Sequence, residues 1–506
     1  MPMINLDRGP NIYIQEISSG VHTIRSVATS ITAFIGWAPK GPTDKAMLVQ
    51  SWTEYVNKFG DVSPLTDVWM GYAVNLFFAN GGSQALIVRV VDKPTAKSAS
   101  LATPLGGLMI AANGEGNWGN SYGVTVPSSK NNRFTLNIVQ LPTANQAMAV
   151  VESYRNLSMD PTDSRYAVTV INQESDWVMA SVANPPSTQA PAQNTNPVAF
   201  QGGVDGNVLD PSGVATALGG NSIATTIPNL DTVPLFNLMC VPGLYDPAML
   251  GFFQTYCQSR RAFLIADCDP GMNIDAVGNT PPNIANGDTA TYGAIYFPWL
   301  KVMDPASPGH WKSTPPCGIV AGIYARTDGT RGVWKAPAGI EAGVNGGAVD
   351  VSIPMTDLQN GTVNSAGVNC IRQFPTYGIV LWGARTLAGN DDLGSEWKYI
   401  PVRRTALFIE ESLSHGLKWV VFEPNAEPLW AQIRLNVGAF MHDLFRQGAF
   451  EGQKPADAYF VKCDGETTTQ NDINLGIVNI LVGFAPLEPA EFVVIQIQQM
   501  AGQIQT

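Results

Sequence analysis

The clearest pattern of hydrophobic positions lies near the end of the chain, between Trp397 and Gln498. An amphipathic run from Thr405 to Leu413 predicts a helix that ends at Gly416. A second helix is predicted from Glu427 to Phe450, with Pro428 in its first turn. One face of this second helix repeats apolar residues at intervals of three or four, namely Leu429, Ile433, Val437, Phe440 and Leu444.

Two strands are predicted after these helices, Ile473 to Gly483 and Phe492 to Gln498, separated by a turn from Ala485 to Pro489. Nothing in this C-terminal stretch has the residue types and spacing of an active site. Its pattern is typical of a part that packs against other protein.

Residues 1 to about 20 have the pattern of an isolated strand. Asn11 to Ile17 alternates apolar and polar side chains, but prolines and glycines on both sides separate it from any local partner. A lone strand leaves its backbone N–H and C=O groups unpaired, so it must join a sheet elsewhere. That sheet belongs either to the same chain or to a neighbouring subunit, and the pattern leaves both open.

Residues 21–93 have a strand–helix–strand order that indicates a compact α/β unit. Strands are predicted at Thr32 to Ala38 and at Ala85 to Val91. Helices are predicted at Trp52 to Phe59 and at Val68 to Ala79.

Residues 94–230 are rich in Ala, Thr, Ser, Asn, Gln and Pro and contain short alternating segments. Two of these, Phe134 to Gln140 and Tyr166 to Ile171, are predicted strands. We therefore interpret this region as an inserted, mainly β domain at the surface.

Short apolar segments return after residue 230 and alternate with helical patterns. Pro247 to Arg260 is a predicted helix. The predicted strands are Pro234 to Val241, Ala262 to Ala266, Tyr292 to Leu300, Gly318 to Ala325 and Thr376 to Trp382. Such segments are typical of a parallel or mixed sheet with both faces covered. The predicted fold class is α/β with several domains, because 506 residues exceed what one core holds.

Charge and composition argue against some classes of function. The formal net charge of −12 argues against a nucleic-acid binder, because neutralising phosphates requires a basic face. No apolar run is long enough to span a bilayer, and the N-terminus has no signal-peptide pattern. Charged residues make up only 14% of the chain, which suits either close packing against other protein or an ordinary soluble protein of low charge.

The candidate catalytic and ligand-binding groups have simpler structural explanations. Gly114 to Gly119 matches Gly-x-Gly-x-x-Gly, but the strand-like Tyr122 to Val126 follows where a dinucleotide site requires a helix. Asp267-Cys268-Asp269 suits a metal or acid–base pair, but also a turn with Pro270. No two histidines have ligand spacing. We expect no cofactor, no metal and no catalytic activity.

The cysteines are scattered and form no Cys-x-x-Cys pair. In a large chain without an export signal we expect all of them to be buried free thiols, made in a reducing compartment: Cys240, Cys257, Cys268, Cys317, Cys370 and Cys463.

Several motifs together give the chain a resemblance to a known family. They are Gly9 to Glu16, Ala33 to Pro42, Asn80 to Val91, Gly116 to Asn120, Tyr296 to Trp299, Pro315 to Gly318, Gly383 to Leu387 and all of Trp397 to Gln498, including Arg403-Arg404, Glu410-Glu411-Ser412 and Glu423-Pro424-Asn425. On these residues the chain resembles the contractile sheath proteins of phage tails and of tail-like injection systems. The resemblance is weak over about 121 to 230, a region that varies in this family.

The resemblance implies a structural subunit that polymerises helically around an inner tube and contracts to drive the tube through a target envelope. The implied partners are other copies of the chain, the inner tube, baseplate and terminator or cap proteins, and other sheath paralogues. The implied location is a phage tail or injection particle assembled in the bacterial cytoplasm, with neither nucleic-acid binding nor direct membrane insertion.

The resemblance also implies exchange of strands between subunits at both ends of the chain. The residues expected in these arms are Ile12, Tyr13, Ile14, Gln15, Glu16, Phe492, Val494, Ile495 and Ile497. The positive side chains expected to contact the tube are Arg403, Arg404, Lys418 and Arg434. The expected order along the chain is an N-terminal arm (1–20), the first part of the sheath core (21–93), the inserted β domain (94–230), an α/β middle domain (231–385), the C-terminal core domain (386–498) and a tail (499–506).

Two alternatives stay open at this point. One is an α/β enzyme with an appended β domain, and the other is a different structural role in the same particle, such as a minor sheath paralogue or a tail terminator.

Overall fold

The computed structural model describes residues 22–144, 146–184, 186–219, 227–279 and 287–491. These residues belong to two compact units. We call the larger unit the one formed within 28–408 and 487–491, and the smaller unit the one formed by 22–27 and 409–486. All residues expected in the strand-exchanging arms lie outside the described ranges.

The strands are numbered in chain order. They are β1 (Thr32–Gly36), β2 (Met47–Val49), β3 (Ala85–Arg89), β4 (Ser98–Leu101), β5 (Leu108–Glu115), β6 (Tyr122–Lys130), β7 (Arg133–Gln140), β8 (Ala149–Leu157), β9 (Val178–Val182), β10 (Asn194–Gln201), β11 (Leu238–Cys240), β12 (Phe263–Asp267), β13 (Gly293–Phe297), β14 (Leu300–Met303), β15 (Trp311–Thr314), β16 (Ala348–Val351), β17 (Asn369–Phe374), β18 (Gly378–Leu381), β19 (Tyr459–Lys462) and β20 (Leu481–Phe484).

The helices are numbered in the same way. They are α1 (Trp52–Phe59), α2 (Met70–Ala79), α3 (Ala167–Glu174), α4 (Pro211–Ala217), α5 (Pro228–Asp231), α6 (Pro247–Ser259), α7 (Ile274–Asn279), α8 (Cys317–Arg331), α9 (Asp357–Ser365), α10 (Ile400–Gly416), α11 (Glu427–Arg446), α12 (Pro455–Ala458) and α13 (Gln470–Asn474). Short 3₁₀ turns lie at Asn117–Ser121, Gly287–Tyr292, Asp391–Leu393 and Lys418–Val420. Among the described helices, none is long and apolar enough to cross a membrane.

The main sheet of the larger unit has eight strands in the order β18-β17-β13-β12-β11-β1-β3-β2. The strands from β17 to β3 are parallel, and antiparallel β18 and β2 form the edges. Phe34 is buried in one apolar cluster and its neighbour Ile35 in another, because successive side chains of a strand point to opposite faces. The prediction of a mixed sheet covered on both faces is confirmed.

Residues 28–93 contribute β1, β2 and β3 to this same main sheet. β1 pairs with β3 on one side and with β11 on the other, so the long segment between β3 and β11 leaves the sheet and returns to it. Residues 28–93 therefore share the main sheet with strands of the 231–385 region. Only 22–27 of this N-terminal region lie in the smaller unit.

The segment between β3 and β11 contains an antiparallel sheet in the order β8-β7-β6-β10-β4-β5-β9. Helix α3 packs on it, and the prediction of a strand from Tyr166 to Ile171 is wrong. Ala167, Val170 and Ile171 are the buried residues of α3, a spacing that suits one helix face better than a strand.

Helix α8 corrects another predicted strand, Gly318 to Ala325. Every residue of that segment is buried. A helix buried on all sides has no polar face and therefore gives the same continuous apolar pattern as a buried strand.

The smaller unit contains the end of α10, all of α11 and a two-stranded sheet of β19 and β20. The predicted face of α11 is confirmed, since all five of its apolar residues are buried. The strand predicted from Ile473 begins only at Leu481, because Thr469 and Asp472 form a capping box that starts α13. β20 pairs with β19, and the hairpin partner predicted at 492–498 lies outside the described residues.

Candidate inter-subunit interface

The two-stranded sheet of the smaller unit has one packed face and one open face. Its register pairs Tyr459 with Phe484, and the Phe450 ring lies 6.2 Å and 5.5 Å from their rings. The opposite face carries Phe460 and Leu481, which are 54% and 52% exposed. Among the residues that the structure describes, these two apolar side chains have no cover comparable to that of the packed face.

The edges of this sheet are also open. Within the part of the chain that the structure describes, β19 pairs only with β20, so each strand has one edge without a partner strand. Two strands alone are marginally stable in water, and an exposed edge is a template for pairing with another chain. The sheet is therefore suited to accept an added strand at either edge.

Residues 22–27 fix the base of the expected N-terminal arm within the smaller unit. The His22 ring stacks on Trp419, with centroids 4.2 Å apart and planes at 17°. The Val27 amide donates a hydrogen bond to the Ser412 hydroxyl at 3.3 Å. Ile24, between these two contacts, is buried. These contacts fix the position of residues 22–27, the first described residues after the expected N-terminal arm.

Gly416 makes this anchorage possible. It is the last residue of α10, as predicted, but it does not have the left-handed conformation of a C-terminal cap glycine. A Cβ atom at this position would lie 2.7 Å from Cγ2 of Ile24. Glycine is required here for the close approach of Ile24.

Arg404, expected to contact the tube, is buried in the larger unit. Its guanidinium donates two hydrogen bonds to the Asp328 carboxylate, at 2.9 and 2.6 Å, and both side chains are 3% exposed. It also donates to the Thr29 carbonyl at 3.0 Å and lies 4.8 Å from the Tyr324 ring centroid. Such a bidentate pair joins α10 to α8 within the subunit.

Arg403 is buried as well. Its guanidinium lies 4.1 Å from the ring centroid of Tyr292 and 4.7 Å from that of Trp397. Both arginines are therefore buried within the subunit, and their contact with a tube stays a prediction.

Lys418 and Arg434 lie in the smaller unit. Lys418 is exposed, in the 3₁₀ turn after α10. Arg434 is half-buried, pairs with Glu427 at 2.6 Å and donates to the Cys463 carbonyl. Lys418 therefore has the more accessible positive charge of the two.

The other chemical candidates are parts of the fold. The glycine-rich loop after β5 makes one 3₁₀ turn and continues as β6. Asp267 accepts hydrogen bonds from the amides of Gly243 and Cys317, both at 2.9 Å, and Asp269 accepts one from the Gly271 amide. Burial raises the pKa of Asp267 to about 6, although the two amides favour its charged form. Among the described residues no cluster of His, Cys, Asp and Glu could hold a metal ion.

All six cysteines are buried and unpaired, which confirms the prediction of free thiols. No local pattern predicted that His22 stacks on Trp419 or that Ile24 lies against Gly416, because the partners are far apart along the chain. The one available signal was Gly416, whose position at a helix end suggested a different explanation.

Two protein-family models match the chain and together cover about half of it. The phage tail sheath protein central domain matches residues 231–387, and the phage tail sheath C-terminal domain matches residues 392–500.

Similar curated proteins are tail sheath proteins. One from Pseudomonas aeruginosa, described as a prophage major tail sheath protein, is 27% identical over 197 residues, which is 38% of this chain and 48% of that protein. The tail sheath protein of Vibrio phage KVP40 is 25% identical over 130 residues, 26% of this chain and 19% of that protein. The matches thus span about half or less of these relatives.

Solved structures match over nearly the whole chain. The contracted helical sheath of the anti-feeding prophage is 25% identical with a TM-score of 0.59, covering 97% of this chain and 99% of that chain. The contracted sheath complex of an extracellular contractile injection system shares the fold, at 22% identity and a TM-score of 0.61 with 97% of both chains covered. The chain belongs to the contractile tail sheath protein family.

Proposed function

We propose that this chain is the structural subunit of a contractile tail sheath. It polymerises helically around an inner tube and contracts to drive the tube through a target envelope. The observation that carries this proposal is the incomplete two-stranded sheet of the smaller unit, in a chain of the sheath family. No catalytic step is part of this function.

The missing strands come from other copies of the chain. The alternating segment Ile12 to Glu16 supplies one, and the segment Phe492 to Ile497 supplies another. Added at the edges of β19 and β20, they satisfy the open backbone groups by β-augmentation. The added apolar side chains lie beside Phe460 and Leu481, which cross-strand packing then covers.

The arms connect subunits that are themselves nearly rigid. Motion during contraction occurs at the linkers near Gly20 and after Pro489, as in hinge motions between packed bodies. Backbone ladders tolerate such pivoting because their hydrogen bonds do not depend on side-chain identity. The free energy of contraction comes from better contact between subunits, summed along the sheath.

The other proposed partners are the remaining components of a contractile particle. Besides copies of itself, the chain contacts the inner tube, the baseplate and terminator or cap proteins, and other sheath paralogues where a particle has them. Lys418 is the first candidate for a tube contact and Arg434 the second, because Glu427 already neutralises Arg434. The subunit works in a phage tail or injection particle assembled in the cytoplasm, without inserting into a membrane.

Electron microscopy of the purified chain tests this function. The wild-type chain should form tubes or rings in negative stain, and a variant lacking residues 1–17 should remain folded but form none. Ile14→Pro should have the same effect, because proline removes a donor from the exchanged strand, and Asn5→Pro, which precedes the alternating segment, is its control. Ordered tubes from the truncated chain would contradict strand exchange by the N-terminal arm.

A further inference from the structure

The chain returns to the larger unit at Leu487 and reaches Glu491, the last described residue before the expected C-terminal arm. Arg385, whose side chain is 1% exposed, binds Glu491 through Nε and Nη2 of its guanidinium. Nε donates to Oε1 at 2.8 Å, and Nη2 donates to Oε2 at 2.7 Å. This is the fork-to-carboxylate geometry that gives the strongest pairs.

Contacts with residues of the larger unit other than Glu491 also hold Arg385 in place. Its backbone amide donates to Oδ1 of Asn369, and Nδ2 of Asn369 donates back to its carbonyl, both at 2.7 Å. Its Nη1 donates to the Asn364 carbonyl at 2.9 Å and to Asp391 at 3.0 Å. The guanidinium is therefore oriented by the larger unit, with the two donors that face Glu491 left for the carboxylate.

The Glu491 side chain is what ties this segment down. Within the described residues, the backbone of 487–491 forms no hydrogen bond. Tyr399 adds a weaker contact, donating from its hydroxyl to Oε2 of Glu491 at 3.3 Å. Burial opposes ionisation of Glu491, but the hydrogen bonds and charge of Arg385 outweigh it and lower the pKa of this carboxyl.

We propose that the Arg385–Glu491 pair is a latch that fixes where the C-terminal arm leaves the subunit. The inference deepens the proposed function and rests on it, because an arm must leave in a defined direction to reach one particular neighbour. The N-terminal arm is anchored on the smaller unit through Ile24 and His22, and the C-terminal arm on the larger unit through Glu491. The two connections of a subunit therefore start from different units, and each has its own anchor.

A nitroxide label next to the latch reports directly on this anchor. Ala490 is exposed, and the six native cysteines are buried, so Ala490→Cys supplies the reactive thiol. In the wild-type background the label should show an immobilised component in its paramagnetic resonance spectrum. Glu491→Gln removes the charge with little change of shape and should abolish that component. Arg385→Lys keeps the charge but loses the fork, and should reduce it.

The control is a matched pair elsewhere in the larger unit. Arg331 also binds a glutamate, since its Nη1 donates to both carboxylate oxygens of Glu341 at 2.6 Å, but both side chains are about half exposed. Glu341→Gln should leave the label at residue 490 immobilised. An unchanged spectrum in Glu491→Gln would overturn the latch.

Tube formation tests separately whether the Arg385–Glu491 pair directs the C-terminal arm to a neighbouring subunit. Glu491→Gln without the label should stay folded, with a somewhat lower melting temperature, but lose tubes in negative stain, whereas Glu341→Gln should form them. Tubes of wild-type order from Glu491→Gln would overturn the directing role. If the wild-type chain formed no tubes, the proposed function would fail, and the spectra would still decide whether Glu491 anchors the segment.

Discussion

The two units differ in how completely each one satisfies its own sheet. In the larger unit the main sheet has eight strands, and apolar clusters cover both of its faces. In the smaller unit the sheet has two strands, one open face and two open edges among the described residues. Under the proposed function the difference separates two tasks: the larger unit satisfies its own main sheet, and the smaller unit is completed by other copies of the chain.

The positively charged side chains expected to contact the tube also differ between the two units. Arg403 and Arg404 are adjacent to the smaller unit in sequence, yet they are buried in the larger one. Lys418, a little further along α10 and its following turn, is exposed. A substitution should therefore affect the fold of the subunit in the first case and assembly in the second. The predictions below run from the largest to the smallest effect on the stability of a single subunit.

Asp328→Ala should destabilise the subunit most. It leaves the Arg404 guanidinium buried without its carboxylate, which costs about 3–5 kcal/mol. Thermal unfolding followed by circular dichroism measures the loss. Glu341→Ala breaks an exposed pair and should cost no more than about 1 kcal/mol. Equal costs for the two variants would show that the Arg404 pair is not a buried support of the larger unit.

Gly416→Ala should destabilise the smaller unit by about 1–3 kcal/mol, because its methyl group overlaps Ile24. Gly438→Ala, inside α11 with open space around the position, is the matched control and should stabilise by roughly 0.5–1 kcal/mol. Chemical denaturation of both variants gives the comparison. If Gly416→Ala were also stabilising, residues 22–27 would not be anchored against α10.

Acid should weaken the latch at Glu491. The pKa of this carboxyl is lowered in the folded chain, so its contribution is fully present above the unfolded value of 4.5 and is lost as the pH falls through the folded value. Asp391, which also faces Arg385, has a lowered pKa too, so the comparison must isolate Glu491. The difference in melting temperature between wild type and Glu491→Gln should shrink as the pH falls below 4.5. A difference that grew on acidification would contradict this sign.

Phe460→Lys should change the stability of the single subunit by less than about 0.5 kcal/mol, because the ring is more than half exposed. It should nevertheless abolish tube formation, since it places a charge beside the added strands. Leu358→Lys, at an exposed position on α9, is the control and should leave assembly intact. Normal tubes from Phe460→Lys would mean that the open face of the smaller unit is not covered during assembly.

Local signals made part of the fold predictable. The bounds of α1 and α6 agree with the prediction to within one residue, and each helix begins at a residue whose own side chain caps it, Ser51 or Asp246. The apolar face of α11 was equally clear. These elements are specified by residues within the element itself.

The sequence predictions failed where contacts between distant segments of the chain determine the structure. The apolar run in α8 is buried on all sides, so no polar face distinguishes this helix from a buried strand in the sequence. The burial of Arg404 depends on Asp328, which lies on another helix far away in sequence. The anchors of both arms, at Ile24 and Glu491, likewise depend on contacts that only the folded chain brings together.

Hydrogen exchange of β19 and β20 tests the central claim most directly. If strands from other copies pair with both edges, the outward-facing amides of residues 460–462 and 481–484 should exchange at least about tenfold more slowly in assembled tubes than in the monomer. Amides of β12, inside the main sheet, should not change and serve as the internal control. Equal exchange of β19 and β20 in monomer and tube would contradict the claim that the smaller unit is completed by its neighbours.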